Sequence, residues 1–152
     1  MWYSRGLRFS CQQCSACCRH ESGYVFLTKH DLQTLACANG LANEAFTAAY
    51  CRWVDYGPEK RLSLKEKTNG DCVFWKEGCA VYTSRPLQCR TYPFWPAALE
   101  TPENWKTFTA DCPGTHNGTR RTLAYIERQL SRQAASQYLT QPYHTTETNY
   151  AK

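Results

Sequence analysis

Four cysteines lie within eight residues in the segment Cys11-Gln12-Gln13-Cys14-Ser15-Ala16-Cys17-Cys18. Three of them, Cys11, Cys14 and Cys17, follow one another at intervals of three. This spacing matches the start of the bacterial ferredoxin pattern C-x2-C-x2-C, in which the loop binds an iron–sulfur cluster. Because cysteine thiolates also bind zinc, the stretch predicts a centre of iron or zinc.

The adjacent pair Cys17-Cys18 bears on whether the chain has one site or two. Neighbouring side chains point to opposite sides of a strand and diverge by about 100° in a helix, so they rarely chelate one ion together. Either one of the two thiols is spare, or the two serve different sites. Mononuclear zinc usually takes a C-x2-C pair from one loop and a second pair from elsewhere. In the ferredoxin pattern a later cysteine precedes a proline, as Cys112 precedes Pro113 here.

The remaining cysteines divide into candidate ligands and two others. Eight metal ligands are predicted: Cys11, Cys14, Cys17, Cys18, Cys72, Cys79, Cys89 and Cys112. Eight thiolates suffice for two four-thiolate centres, and they equally allow one cluster plus a redox or structural pair. Cys37 and Cys51 lie inside predicted helices, where we expect them to be buried as small hydrophobic residues.

Composition favours metal over disulfides as the use of these cysteines. The first ten residues lack the apolar run of a secretory signal, and no stretch approaches the ~20 apolar residues of a membrane helix. We therefore expect a cytoplasmic protein, in which thiols stay reduced; a disulfide framework is the alternative. The formal net charge of +5 comes from scattered basic residues, which we interpret as offsetting thiolate charge rather than as a nucleic-acid surface.

Hydrophobic periodicity predicts several helices. Thr28 and Asp31 form a capping-box sequence at the start of a helix that Asn39-Gly40 ends. A second helix is predicted over residues 42–53, ended by Gly57-Pro58, and a last one from about residue 120 to residue 138. A short helix after Pro86 is expected to carry Cys89.

A short β-hairpin is predicted near residues 72–82, because two β-prone runs flank Lys76-Glu77-Gly78. The fold class is therefore a small, α-rich, mixed α+β single domain with irregular loops pinned by metal. The metal-binding domain is expected to span residues 1–139. Residues 140–152 are polar and are expected to be a flexible C-terminal tail.

At these residues the sequence resembles the CxxCxxCC, or YkgJ-type, cysteine-cluster proteins, a family described as zinc- or iron-chelating. The resemblance covers about residues 9–118, and the family often has glycine where this chain has Ala16. It implies metal binding through the eight cysteines, and it leaves Cys37 and Cys51 outside the pattern. A similar cluster in the larger flagellin lysine N-methylase suggests a role in modifying a protein or peptide, although no Gly-rich fingerprint for a methyl donor is present here. The matching segments are residues 11–18, 27–32, 71–75, 79–94 and 112–114.

Arg85 and Arg90 bracket Cys89 and are the candidate cofactor-binding residues. Guanidinium groups can donate hydrogen bonds to cluster sulfur or to an anionic substrate, and such donors tune a metal site. The alternative is that Arg85 caps a turn and pairs with a carboxylate. Two roles are open for the aromatic residues near these cysteines: they cover the centre and restrict solvent, or, as the favoured interpretation, they pack in the core. These residues are Tyr82, Tyr92, Phe94 and Trp95.

Three functions fit this sequence. The first is an iron–sulfur protein, with a 4Fe–4S cluster favoured, in a redox or protein- or peptide-modifying accessory role. The second is a zinc-stabilised, non-catalytic interaction module, and the third is a protein that chelates iron or zinc reversibly. The expected partners are metal ions and a protein or peptide, rather than a membrane or nucleic acid. No Ser/His/Asp arrangement, P-loop or dinucleotide fingerprint identifies a catalytic residue.

Overall fold

The computed structural model describes residues 1–14, 16–18 and 23–142, in which helices and short strands alternate along the chain. Two single 3-10 turns, Ala16–Cys18 and Tyr82–Ser84, accompany them. The other elements are β1 (Leu7–Arg8), α1 (Lys29–Ala38), α2 (Asn43–Tyr50), β2 (Cys51–Tyr56), β3 (Glu59–Leu64), α3 (Leu87–Thr91), α4 (Pro96–Leu99), α5 (Pro102–Phe108), α6 (Gly114–Asn117), β4 (Arg120–Arg121), α7 (Leu123–Ala134) and β5 (Thr140–Pro142).

Helix α1 begins and ends where the sequence predicts. Thr28 Oγ1 accepts a hydrogen bond from Asp31 N at 3.0 Å, and Asp31 Oδ2 accepts one from Thr28 N at 3.0 Å. This reciprocal pair satisfies two backbone donors that a helix start leaves free. Asn39 caps the other end, and Gly40 follows with φ +66°. The capping-box prediction is thus confirmed.

The long hairpin of the molecule lies at residues 51–64. The helix predicted over residues 42–53 ends at Tyr50, and Cys51–Tyr56 instead pair antiparallel with Glu59–Leu64. Aromatic and β-branched residues in this segment favour a strand, and Gly57, at φ +62°, permits the tight turn that Gly57-Pro58 was expected to provide as a helix breaker. Cross-strand pairing therefore overrides the local helical periodicity.

Strand β5 extends this sheet on the other side of β3, where Thr140 pairs with Arg61. The first three residues assigned to the flexible tail, Thr140–Pro142, are therefore an ordered edge strand. The rest of the predicted tail, residues 143–152, lies outside the described residues. The domain boundary at residue 139 stays a prediction.

The hairpin predicted near residues 72–82 is present only as a turn closed by one antiparallel bridge, Trp75–Cys79. Lys76 N donates to Gly78 O at 2.8 Å within the turn. Val73 N donates to Lys65 O at 3.0 Å, so part of the backbone pairs with a neighbouring segment instead of extending the hairpin. The α-rich, mixed α+β class is confirmed.

Helix α7 is shorter than predicted. It begins at Leu123 because the two residues before Thr122 form β4, which pairs with β1. Thr122 Oγ1 caps the helix by accepting from Tyr125 N at 3.2 Å. In the described part of the chain, no helix has the length and apolar character needed to cross a membrane.

Among the described residues, two hydrophobic clusters form the core. The first cluster packs α1 and α2 against the β2–β3 hairpin, and the second packs α7 against the N-terminal segment. The first cluster comprises Leu27, Leu35, Ala36, Phe46, Cys51, Leu62, Leu64 and Phe74. The second cluster comprises Phe9, Phe94, Leu99, Cys112 and Ile126.

Candidate metal centre

The chain segment that leads into the cysteine motif lies directly against the segment that carries Cys112. Ser10 N donates to Gly114 O at 3.1 Å. A Cβ atom on Gly114 would lie 2.3 Å from Ser10 O, and one on Gly118 would lie 2.2 Å from Ser10 N. These distances are shorter than any van der Waals contact, so only glycine permits this approach. The start of the motif at Cys11 is thereby placed near Cys112.

The end of the motif lies against a different segment. Cys72 N donates to Cys18 O at 2.8 Å, and this backbone bond joins residues that are far apart in sequence. Trp75 N donates to Cys72 O at 2.9 Å, and the Trp75–Cys79 bridge closes the following turn. Cys18, Cys72 and Cys79 are consequently gathered on one side of the motif.

Cys89 joins this group through α3. Burial raises the pKa of its thiol above the usual range, and the neighbouring thiols of Cys72, Cys79 and Cys18 act in the same direction. Burial also raises the pKa of Cys72 to about 11, with Cys18 and Cys79 contributing, while a hydrogen bond to the Phe74 backbone lowers it. The four thiols therefore lie close enough to repel one another's negative charge.

A second set of thiols acts electrostatically on Tyr92. Burial raises the pKa of this phenol, and Cys112, Cys17 and Cys14 raise it further by their negative charge. Tyr92 and Cys112 also share a side-chain hydrogen bond, and Tyr92 Oη donates to Phe108 O at 3.1 Å. Tyr92 thus marks a location that Cys14, Cys17 and Cys112 approach together.

Cys17 interacts with residues of both sets, and Cys11 interacts with Cys17 and Cys79. A hydrogen bond between Cys17 and Cys18 is the largest cause of the raised pKa of the Cys17 thiol; burial and the charges of Cys89 and Cys11 add to it. Cys11 shares a side-chain hydrogen bond with Tyr82 and interacts electrostatically with Cys79.

The donor set fits iron or zinc. Thiolate sulfur is a ligand of both, and thiols with raised pKa values release protons when a cation binds. Among residues 1–14, 16–18 and 23–142, no three Cys, His, Asp or Glu side chains already stand at metal-ligand spacing. Ligation therefore requires side-chain rotation within loops whose backbones already lie together.

The two arginines predicted to bind a cofactor have different environments. The guanidinium carbon of Arg85 lies 3.9 Å from the Tyr82 ring centroid, and Arg85 Nε donates to Tyr82 O at 2.9 Å. Its charge lowers the pKa of both Cys79 and Cys89, so Arg85 acts on the thiols while it also closes a turn. Arg90 is exposed in the last turn of α3, and no described contact joins its guanidinium to a thiol.

Two residues that position Cys89 were not identified as such from the sequence. Besides capping α1, the buried Asp31 carboxylate accepts from Leu87 N at 3.1 Å through its second oxygen, Oδ1. Gln88 Oε1 accepts from Phe26 N at 3.0 Å. These contacts hold α3, and with it Cys89, against the start of α1. The capping box was visible in the sequence, whereas no local pattern shows the second partner of Asp31.

Cys37 and Cys51 differ from what the sequence suggested. Cys37 is exposed on α1 rather than buried, and Cys51 is buried but opens strand β2 instead of lying in a helix. None of the ten cysteines, all of which lie in the described part of the chain, is joined in a disulfide. The buried Cys51 behaves as a small hydrophobic residue of the first cluster, as expected for its burial.

A mixed α+β domain whose loops gather thiols from distant segments belongs to the class of cysteine-rich metal-binding proteins. The chain is a member of the CxxCxxCC family, described as a "putative zinc- or iron-chelating domain", whose model matches residues 10–113. The match includes all eight predicted ligands, from Cys11 to Cys112. No solved structure matches this chain.

Proposed function

We propose that this chain is an iron–sulfur protein, with a 4Fe–4S cluster favoured, that serves a redox or a protein- or peptide-modifying accessory role. The observation that carries the proposal is the gathering of Cys18, Cys72, Cys79 and Cys89. Their thiols come from separate segments and interact in every pairing. Four thiolates are the usual ligand set of a cubane cluster.

The residues around these thiols suit a charged sulfur centre. Arg85 places a cation where it favours the thiolate forms of Cys79 and Cys89. Tyr92 and Trp95 pack edge to face with ring centroids 5.2 Å apart, beside the nearby Cys112, and such rings exclude water from a centre. When bound, an iron–sulfur cluster supplies one-electron transfer at a potential set by charge, hydrogen bonds and solvent exposure. The chain's own contribution is to hold the sulfurs, offset their charge and limit solvent.

Anaerobic purification followed by absorption spectroscopy and iron and sulfide analysis tests the proposal. We expect brown protein with about four iron and four sulfide per cubane. Replacement of Cys79 by serine should reduce both, whereas Cys37→Ser, which removes an exposed thiol outside the family pattern, should change neither. Colourless wild-type protein that carries stoichiometric zinc would contradict an iron–sulfur function.

A zinc-stabilised interaction module is the second candidate, favoured by exposed aromatic residues on and beside the β2–β3 hairpin. Tyr24, Trp53 and Tyr56 are 48%, 37% and 45% exposed, and aromatic residues of this kind are enriched where proteins bind one another. In this function the metal stabilises the fold, and a protein or peptide binds the surface. Stoichiometric zinc, together with unfolding on chelation, would support it; exchange of metal without unfolding would instead support reversible chelation.

A further inference from the structure

We infer that a cluster of arginines on the β1–β4 strand pair and on α7 binds an acidic segment of a partner protein. These residues, the arginine patch, are Arg5, Arg8, Arg120, Arg121 and Arg128. The inference deepens the proposed function by naming the chemistry of its partner. It rests on that function only for the purpose of the contact, because the patch binds carboxylates whichever metal the thiols hold.

Strand pairing brings together arginines that are far apart in the sequence. Arg8 and Arg120 are direct partners in the antiparallel β1–β4 pair, so their side chains leave the same face of it. Arg120 Nε donates to Arg5 O at 2.9 Å, and Arg8 Nη1 donates to Gly118 O at 3.3 Å. Arg5, Arg8 and Arg120 are all exposed. The guanidinium groups of Arg8 and Arg120 therefore share one solvent-facing surface beside Arg5.

The other two arginines lie around the ring of Tyr125. The guanidinium carbon of Arg121 is 4.8 Å from the ring centroid, and that of Arg128 is 5.9 Å from it. Arg121 Nε also donates to Phe9 O at 2.9 Å, which ties this side chain to the residue after β1. A guanidinium held through Nε keeps its Nη groups for a ligand. Because it is already positioned, less side-chain freedom is lost when a carboxylate binds.

The positive charge of the arginine patch is not balanced within the described part of the chain, where the ion pairs join other residues. Glu127 directly precedes Arg128 in the sequence and forms no ion pair with the patch there. Of the 18 Lys and Arg residues, those outside the patch are as many as the 13 Asp and Glu residues. The net charge of +5 thus resides formally in the patch. Like charges directly opposite each other destabilise a strand pair, so an anionic ligand would relieve the repulsion between Arg8 and Arg120.

The surroundings of the arginine patch favour carboxylates of a protein over nucleic acid. Guanidinium groups bind carboxylates and phosphates alike, but proteins that bind single-stranded nucleic acid also present aromatic faces on which bases stack. Tyr125 is half-buried, packs edge to face against Phe94 with ring centroids 5.7 Å apart, and has Arg121 over its ring. Its ring is therefore already occupied. The exposed rings of Trp53 and Tyr56 belong to β2, outside the patch.

The arginine patch adjoins the cysteine motif. Phe9 N donates to Thr119 O at 2.9 Å, and Thr119 N donates to Ser10 Oγ at 2.9 Å. Cys11 directly follows Ser10, so a partner on the patch lies beside the first candidate ligand. Complementary charge steers two proteins into contact and fixes their orientation. This suits a partner that exchanges electrons with the metal centre or is modified beside it.

Fluorescence anisotropy of a labelled oligoglutamate peptide, titrated with anaerobically purified full-length protein, tests the inference. We expect binding at low salt that weakens at physiological ionic strength. Arg8→Gln and Arg120→Gln should each weaken binding about two- to fivefold. Their Tm should be unchanged or higher, because each removes a like-charge pair. Lys29→Gln, the control, removes an exposed cation at the start of α1 and should bind as the wild type does.

Binding that is absent at low salt, or that survives unchanged in the Arg8→Gln/Arg120→Gln double variant, would overturn the inference. Equal weakening by Lys29→Gln would also overturn it, because net charge alone would then explain the binding. An oligouridylate that binds more tightly than the peptide would replace the protein partner by RNA.

Metal analysis of the same preparation keeps the two proposals apart. Zinc protein with arginine-dependent peptide binding would contradict the iron–sulfur function and support the arginine patch. Iron–sulfur protein whose peptide binding does not depend on Arg8 and Arg120 would do the reverse.

Discussion

Tyr82 interacts with both the Arg85 guanidinium and the Cys11 thiol. Arg85 lies over its ring at 3.9 Å, and its hydroxyl shares a hydrogen bond with Cys11. Hydrogen bonds to ligating sulfur and charges beside it change metal affinity and redox potential. Tyr82 is therefore suited to orient the Cys11 sulfur, while its ring holds the guanidinium near Cys79 and Cys89.

Replacing Tyr82 with phenylalanine should weaken metal binding by roughly tenfold, the lower end for loss of such a partner. The ring and its contact with Arg85 remain, so only the hydroxyl is removed. Competition against a calibrated chelator measures the change. Tyr56→Phe is the control, since Tyr56 is 45% exposed on the β2–β3 hairpin. Equal affinities in Tyr82→Phe and wild type would show that the hydroxyl does not orient the sulfur.

Cys51 should make the free energy of unfolding depend on pH in the alkaline range. Burial raises the pKa of this thiol from 9.0 to about 11, although the Lys65 charge acts in the opposite sense. The folded state thus favours the neutral thiol. Its contribution to stability is fully present below pH 9 and is lost as the pH rises toward 11.

Cys51→Ala should therefore flatten the alkaline decline. A shift of this size corresponds to about 2–3 kcal/mol of unfolding free energy between pH 9 and 11. Urea unfolding under reducing conditions at several pH values measures the difference between wild type and variant. Cys37→Ala, which removes an exposed thiol, should retain the wild-type slope. Parallel pH profiles for wild type and Cys51→Ala would rule out this role.

A helix or strand can be predicted from the sequence where contacts between residues close together in the chain determine it. Helix α1 was predicted correctly because Thr28 and Asp31, three residues apart, satisfy each other's backbone donors. The helix over residues 42–53 was predicted too long, because its second half is decided by pairing with Glu59–Leu64. Strand β5 was missed for the same reason, since its three residues are polar and depend on β3. Pairing between strands that are distant in the chain is hardly visible in the local periodicity of hydrophobic residues.

The connection between α1 and α3 depends on a single carboxylate. Asp31→Asn keeps one oxygen acceptor but loses the other, so either Thr28 N or Leu87 N loses its partner. Because Asp31 is buried, we expect a loss of about 1–3 kcal/mol in unfolding free energy and a displaced α3. Chemical denaturation measures the first effect, and metal content measures its consequence at Cys89.

Asp55→Asn is the matched control for that substitution. Asp55 is exposed, and its nearest cation, Lys60 Nζ, lies 3.8 Å away, so the loss should stay below about 1 kcal/mol. Similar stabilities for the two variants would mean that the Asp31 carboxylate does not hold α3. If Asp31→Asn lowers the free energy of unfolding but the variant keeps its full metal content, the position of α3 does not limit metal binding.

For the molecule as a whole, the candidate ligands can be selected from the sequence, but which of their chain segments lie together cannot. Cysteine identity and spacing select the eight candidates without a structure. The contact of Cys18 with Cys72, and the convergence of Cys14, Cys17 and Cys112 at Tyr92, depend on how distant segments pack. Glycines at 114 and 118 enable one of these contacts through their lack of a Cβ atom, and this steric requirement cannot be inferred from their place in the chain.

We expect bound metal to connect the two hydrophobic clusters. Removal of the metal should therefore lower the thermal stability of the protein. Cys72 packs against the first cluster and Cys112 belongs to the second, while Cys72 N donates to Cys18 O and Ser10 N donates to Gly114 O. Structural thiolate sites contribute about 10–16 kcal/mol of binding free energy, so even a third of this amount should lower Tm by roughly 10–20 °C on chelation. Differential scanning calorimetry before and after treatment with a strong chelator measures the shift. The Cys14→Ser/Cys79→Ser double variant should show almost none, since it has little metal to lose. If the wild type loses its metal and its Tm is unchanged, the two clusters are stable on their own and the thiols serve reversible chelation instead.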